Sequence, residues 1–293
     1  MKKPLFDKVV IFGVGLIGGS LGMAIKKHRL ANRVIGVSRD WYKCKREAVK
    51  RKAIDEASID PEIEVDEGAN LFILSMPILT NLRWIKQVGP HLKPGAVVMD
   101  VGSTKEDVQN LAREYFSPGQ FIGCHPMAGS EKKGIEHARA DLFKGSVCFM
   151  TAANRKIEEL WKRIGAHPIR LSAEEHDEWV ARVSHIPHIL AFALLRIMAK
   201  APKQAFLSSI GYLNPSFKES ARLSKSDPQI WADILWSNRR RILRALSEFS
   251  GQVGDLRKIL RSKSSEDTYQ RLLRYISSAN TNARRLLPDE KKD

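Results

Sequence analysis

Cysteine is scarce. Cys44, Cys124 and Cys148 are three in 293 residues, an odd number without metal-ligand spacing. They read as reduced thiols of a cytoplasmic protein and exclude a disulfide scaffold. Long apolar runs are also missing. The longest, Ile186 to Leu195, is interrupted by Pro187 and His188 and gives way to Arg196, far short of the ~20 residues that a membrane helix needs. The opening Met1-Lys2-Lys3-Pro4-Leu5 passes into an amphipathic strand pattern with no apolar core and no small-residue cleavage site, so no signal peptide is expected. Acidic residues are outnumbered, 33 against 49 Lys plus Arg, for a net charge of +16. The excess is spread evenly. Up to and including Arg170 there are 28 basic and 19 acidic residues (+9), and 21 and 14 thereafter (+7). That excludes a basic tail and favours anionic small molecules, with loose nucleic-acid binding as the alternative.

What is present is a globular composition, 43% hydrophobic and 28% charged, with a clear internal rhythm. Short, nearly all-apolar stretches at Lys8 to Gly13, Arg33 to Ser38, Leu71 to Met76, Ala96 to Val101, Phe121 to Cys124 and Val147 to Thr151 alternate with helical patterns. Among the latter is a charged helix from about Trp41 to Lys52. Such strands belong to a parallel sheet covered on both faces. After Ser172 the strand pattern stops. From Ala173 to about Leu287 the pattern is helical, broken at Pro187, Pro202, Pro215, Pro228 and Gly251/Gly254. The expected architecture is α/β: a Rossmann-type parallel-sheet domain over residues 1–172, then an all-helical C-terminal domain over 173–293. The helical part has more apolar surface than it can bury on itself, which predicts a homodimer built on it.

Gly13-Val-Gly15-Leu16-Ile17-Gly18 matches G-x-G-x-x-G directly after the first strand and at the start of a helix. Gly13 allows the tight turn, Gly15 lets the backbone approach a pyrophosphate, and Gly18 lets helix and strand pack closely. Leu16 and Ile17 lie between them at the helix N-terminus, whose free N–H groups face phosphates. An NAD-binding chain usually carries Asp or Glu at the end of the second strand, for the ribose 2′-hydroxyl. Here Ser38 and Arg39 stand there. A hydroxyl and a guanidinium suit a 2′-phosphate, so NADP is the expected cofactor, with Asp40 in the acidic role and NAD as the alternative.

Three more segments carry chemistry: Asp100-Val-Gly-Ser103-Thr-Lys105, Gly123-Cys-His125-Pro-Met-Ala-Gly129-Ser130-Glu131, and Ser184-His185-Ile-Pro187-His188. A fourth is Arg222-Leu-Ser-Lys-Ser-Asp227-Pro228-Gln-Ile-Trp231-Ala-Asp233. Together with the glycine loop, in this order, they resemble the prephenate/arogenate dehydrogenase family of tyrosine biosynthesis over roughly residues 8 to 245. The resemblance implies oxidative decarboxylation of prephenate, or of its amino analogue arogenate, with hydride transfer to NAD(P). It makes His125 the partner of the substrate hydroxyl, a role that suits a neutral imidazole. Ser103 would help to orient that hydroxyl. Ser130, Ser184, His188 and Arg222 would hold the anionic substrate, Arg222 by a bidentate grip on a carboxylate. Pro187 should kink its helix and free the carbonyl of Val183. His185 with His188 lacks the further ligands of a metal site.

Two other readings compete. A β-hydroxyacid or imine reductase shares the expected fold, but would need a catalytic lysine or acid in the helical half and leaves His125-Pro-Met-Ala-Gly129 unexplained. A catalytically silent NADP-sensing or nucleic-acid-binding protein would need clustered basic residues. Arg239-Arg240-Arg241 is the one tight triplet after residue 172, and a solvated helix face accounts for it.

Overall fold

The computed structural model describes residues 3–38, 40, 42, 44–59, 68–130, 132–200 and 215–286. Its centre is an eight-stranded sheet in the order β3-β2-β1-β4-β5-β6-β7-β8. The strands are β1 (Phe6–Phe12), β2 (Ala31–Val37), β3 (Glu56–Ser58), β4 (Leu71–Leu74), β5 (Val97–Asp100), β6 (Phe121–Pro126), β7 (Val147–Met150) and β8 (His167–Arg170). Helices α1 (Leu16–Lys27), α2 (Ile78–Val88), α3 (Glu106–Tyr115) and α4 (Arg155–Arg163) connect them.

The strands are apolar almost throughout because both sheet faces are covered. Val9, Ile11, Ile73 and Met99 enter one buried cluster, and Val10, Phe12, Phe72 and Val98 enter the other. The order reverses between β1 and β4, the switch point at which open α/β sheets hold ligands beyond the strand ends. Seven neighbouring strand pairs make the sheet, and six of them are parallel. The exception is β6–β7, which is antiparallel. The apolar runs predicted six of these strands but not this reversal, since an apolar run has no direction. Two edge elements, β3 and β8, are short or exposed and gave no apolar run.

The charged segment expected to be helical from about Trp41 to Lys52 is helical over 44–50, with a π-type stretch at Cys44–Ala48. All three cysteines are buried and free.

Beyond β8 the described residues are helical: α5 (Ala173–Val180), α6 (Ile186–Met198), α7 (Pro215–Ser224), α8 (Pro228–Ser237), α9 (Arg239–Arg261) and α10 (Glu266–Leu286). Ser172 opens α5 with a capping box, its hydroxyl accepting from Glu175 N–H while the Glu175 carboxylate accepts from Ser172 N–H. A π-type stretch, Ala181–His185, joins α5 to α6. The widened turn lies immediately before Pro187, which has no N–H to continue the α-helical ladder. Gly251 and Gly254, read as breaks, lie inside α9. Each costs about 1 kcal/mol relative to alanine, which a helix of 23 residues absorbs. Pro202 lies outside the described residues.

By contacts the chain separates into two compact units, residues 1–242 and 243–293. In the second, α10 has no buried residue, and Leu260, Leu273 and Ile276 are exposed. In the first, Ala173–Met198 is long and apolar enough to cross a membrane by length and composition alone. Yet this run holds His176, Asp177 and His185, all buried and all hydrogen-bonded within the same unit.

Candidate active site

The glycine loop leaves β1 at the switch point. Gly13 takes φ +88° and its N–H donates to Val37 O at 3.0 Å. The Ser75 hydroxyl, just past β4, donates to Phe12 O at 2.9 Å and Gly13 O at 2.7 Å, tying the loop to the neighbouring strand. A Cβ at Gly18 would fall 2.2 Å from Gly13 O and 2.3 Å from Ser75 Oγ, so only glycine lets α1 start so close to the sheet. At Gly15 a Cβ would meet no atom within 4 Å. The backbone there faces open space. Leu16 and Ile17 are half-buried in the first turn.

Beside the loop lies a cavity of about 990 Å³, lined by Gly13, Val14, Gly15, Ser38, Asp40 and Arg83 among others. An open glycine backbone, an uncapped helix N-terminus and an adjoining cleft fit a dinucleotide. Ser38 lines this cleft as expected of a cofactor residue, and so does Asp40. Arg39 lies outside the described residues.

Farther along the same carboxyl edge of the sheet stands His125, near the end of β6. Its Nδ1 is 2.8 Å from His176 Nε2, and His176 Nδ1 is 2.8 Å from Asp177 Oδ1. Asp177 Oδ1 also accepts from Lys105 N–H at 2.8 Å, and Oδ2 from Glu106 N–H at 2.9 Å. The residue before α3 offers no side-chain cap of its own, so Asp177 caps that helix from a distant segment. Asn238 Nδ2 donates to Asp177 O at 2.8 Å and approaches His185 Nδ1 at 3.3 Å. The antiparallel step sets Phe149 opposite His125, and the Phe149 ring packs edge-on against His176, 5.6 Å between centroids.

Asp100 and Lys105 form a fully buried ion pair beneath these groups. Asp100 Oδ2 also accepts from Gly102 N–H at 2.9 Å and Asn81 Nδ2 at 3.2 Å, which fixes the turn carrying Ser103. Burial pulls the Lys105 ammonium down from the usual lysine range. Burial, with His176, Lys105 and His185 nearby, holds His125 well below the ordinary imidazole value. His176 is lowered by burial against the opposing pull of Asp177. Burial drives His185 down to about 4. The three histidines are neutral at physiological pH.

The expected substrate residues are distributed unevenly. His188 Nδ1–H donates to Ser184 O, 2.9 Å away, since a carbonyl oxygen can only accept. Its ring stacks on Trp231 at 3.8 Å, and burial and the Arg222 charge both lower its pKa. Arg222 is exposed and donates to Glu219 at 3.0 Å. Ser103 is half-buried and, among the described residues, makes no hydrogen bond to His125. Ser130 is exposed and accepts from Lys132 N–H at 3.2 Å; Glu131 lies outside the described residues. Lys133, from the same loop, pairs with Asp227 at 2.6 Å. Arg241 of the basic triplet is not on a solvated face: it bridges Glu106 at 3.2 Å and Glu178 at 3.1 Å. His176 and Asp177 were not singled out from the sequence. The one local signal near them is the Ser172–Glu175 capping box, which marks where their helix begins.

Comparison with known proteins accords with this arrangement. The family model of the prephenate dehydrogenase nucleotide-binding domain matches residues 21–170, and that of the prephenate dehydrogenase dimerization domain matches residues 172–277. The chain belongs to the prephenate dehydrogenase family. A prephenate dehydrogenase of Lactococcus lactis is 33% identical over 259 residues, covering 85% of this chain and 70% of its own length. Prephenate dehydrogenase of Aquifex aeolicus, solved with hydroxyphenyl propionate and NAD+, superposes with a TM-score of 0.83 at 26% identity, over 96% of this chain and 98% of that one. Synechocystis arogenate dehydrogenase superposes with a TM-score of 0.78 at 26% identity, over 96% and 100%. The chain is thus an oxidoreductase of the nicotinamide-dependent kind, as its motifs implied.

Proposed function

We propose that this protein oxidatively decarboxylates prephenate to 4-hydroxyphenylpyruvate, as a cytoplasmic enzyme of tyrosine biosynthesis. The observation that carries this reading is His125, neutral and near the end of β6, on the same sheet edge as the glycine loop. The nicotinamide, when bound, supplies the hydride acceptor. His125 receives the proton of the substrate's ring hydroxyl as carbonyl character develops at the carbon losing hydride. The ring carboxylate departs as carbon dioxide, its bonding electrons complete the aromatic ring, and the proton returns to the phenol oxygen. Ser103 orients the hydroxyl, while Ser130, Ser184, His188 and Arg222 hold the carboxylate-bearing ends. The division at residue 172 separates cofactor binding from the helical part that grips substrate and pairs two copies. The unburied apolar residues of α10 support that pairing.

For the cofactor we propose NADP over NAD, on Ser38 and Arg39. Asp40 lines the same cleft and repels a 2′-phosphate, so the preference is modest. Arginine contacts to a phosphate are worth about 1.5–3 kcal/mol; Arg39→Ala therefore weakens NADP binding and leaves NAD binding nearly unchanged. Arogenate is the second reading for the substrate, favoured by the end-to-end match to the Synechocystis enzyme. Formation of reduced nicotinamide from prephenate and from arogenate, each with NADP and NAD, tests all of this. No turnover in any combination overturns the proposal.

A further inference from the structure

A hydrogen-bonded chain has a direction, and here the direction is fixed at one end. The Lys105 and Glu106 amides can only donate, so both oxygens of the buried Asp177 carboxylate are acceptors. His176 Nδ1, 2.8 Å from Oδ1, must then carry a proton. A neutral imidazole has one proton, which leaves His176 Nε2 with a lone pair. That lone pair is 2.8 Å from His125 Nδ1, so His125 carries its own proton on Nδ1. Its Nε2 is left bare.

We propose that His176 and Asp177 are positioning residues that fix the tautomer of His125, keeping its proton on Nδ1 and reserving Nε2 for the substrate's hydroxyl proton. This rests on the reading of His125 as proton acceptor given above. The geometry is well anchored. Asp177 cannot rotate without uncapping α3, and Phe149 packs edge-on against His176 and in turn against Trp179. The groups acting on His125 favour a neutral ring before the proton arrives: His176 and His185 from the helical half and Lys105 from the start of α3 all oppose a charge on it, as does burial. Burial and the Lys105 charge oppose a second proton on either imidazole. When His125 does accept a proton, its Nδ1–H already points at a neutral base backed by a carboxylate, so no group need reorient.

The direct test is ¹⁵N NMR on the full chain with labelled histidine, near neutral pH, with the His125 signals identified by their loss in His125→Asn. The expected result is an attached proton on His125 Nδ1 and a non-protonated resonance for Nε2. A proton on Nε2 overturns the proposal, whatever the enzyme's activity. The kinetic test is Asp177→Asn. The amide donates to His176 Nδ1, moves the His176 proton to Nε2, and so forces His125 onto its Nε2–H form. We expect kcat to fall by about 10²–10⁴-fold, the range spanned by losing a general base and by imposing a wrong tautomer, with KM for prephenate within about threefold and the NMR signature reversed. A fall in kcat with the His125 signals unchanged counts against it.

Should Asp177→Asn fail to fold for want of the α3 cap, a pair at the neighbouring position decides. His176→Gln places a carbonyl oxygen that can accept from His125 Nδ1–H and retains kcat within about tenfold; His176→Leu cannot, and loses at least another tenfold. Equal losses in the two variants overturn the relay. Absence of any turnover by the wild-type enzyme instead condemns the functional reading, and the tautomer assignment is then decided by NMR alone.

Discussion

The two ends of the sheet's carboxyl edge are built by different means. The cofactor end is backbone: a turn at Gly13, an open approach at Gly15, a helix N-terminus, all within one short stretch of chain. The chemical end draws on three distant stretches: His125 meets His176 across 51 residues of sequence, and Asp177 takes the Lys105 N–H across 72. A backbone site tolerates side-chain change wherever there is room and fails where there is none. A side-chain relay fails at each member, and its failures appear in rate before they appear in folding.

The largest expected effect is at the chemical end. His125→Asn can still donate a hydrogen bond but cannot take up the hydroxyl proton, so kcat should fall by about 10²–10⁴-fold. In the native protein the depressed His125 pKa keeps the acidic limb of kcat/KM below about 6.5, the ordinary histidine value. The variant should have no such limb, and near-normal kcat with the limb intact would return the role to Ser103 or His188.

Next in size is acid stability. His125, His176, His185 and His188 all have lowered values in the fold. Unfolded histidines titrate near 6.5, so below that pH the unfolded chain binds protons which the native state refuses. Stability is full above about pH 6.5 and drains away as the pH falls toward 4. His185 alone, held down to about 4, accounts for about 3 kcal/mol. Denaturant midpoints measured across this window should fall steadily; a flat profile would contradict the buried neutral cluster.

A glycine pair then sharpens the contrast within the cofactor end. Gly18→Ala puts a Cβ against Gly13 O and Ser75 Oγ, and overpacking of this kind costs about 1–3 kcal/mol of fold stability. Gly15→Ala meets nothing and should leave stability within about 0.5 kcal/mol, while raising the NAD(P) dissociation constant about tenfold by blocking the approach of the pyrophosphate. Equal effects on both measurements would mean that the loop is scaffold alone. The smallest effect is at Lys133, whose pair with Asp227 is mostly exposed on the lysine side. Lys133→Met should change stability by less than about 1 kcal/mol, and by nothing at high salt.

This contrast also explains what could be read without coordinates. The strand–helix rhythm and the glycine loop were legible because each is written in consecutive residues. His125 was legible because its stretch resembles a family. His176 and Asp177 were not, since they sit in an ordinary capped helix and meet His125 and the amides at the start of α3 only in the folded chain. Direction in a buried strand and partnership across 51 residues leave no local trace. Arg241 failed for a similar reason: its two carboxylate partners come from elements that the triplet itself does not announce.

The widened turn at Ala181–His185 has an angular consequence. Residues in an α-helix advance about 100° each, so His176 and His188, twelve apart, would point about 120° away from one another on an unbroken helix. One residue taken up by a π-type turn removes about 100° of that and brings the two imidazoles to within about 20° of a common heading. The insertion therefore works as a phase shifter, letting a single helical run present His176 and His188 in one direction. Deleting a residue such as Val183 would remove the widened turn yet leave His176 and His188, then eleven apart on an ordinary helix, within about 20° of the same heading; it is regular winding at the present length that would swing His188 away.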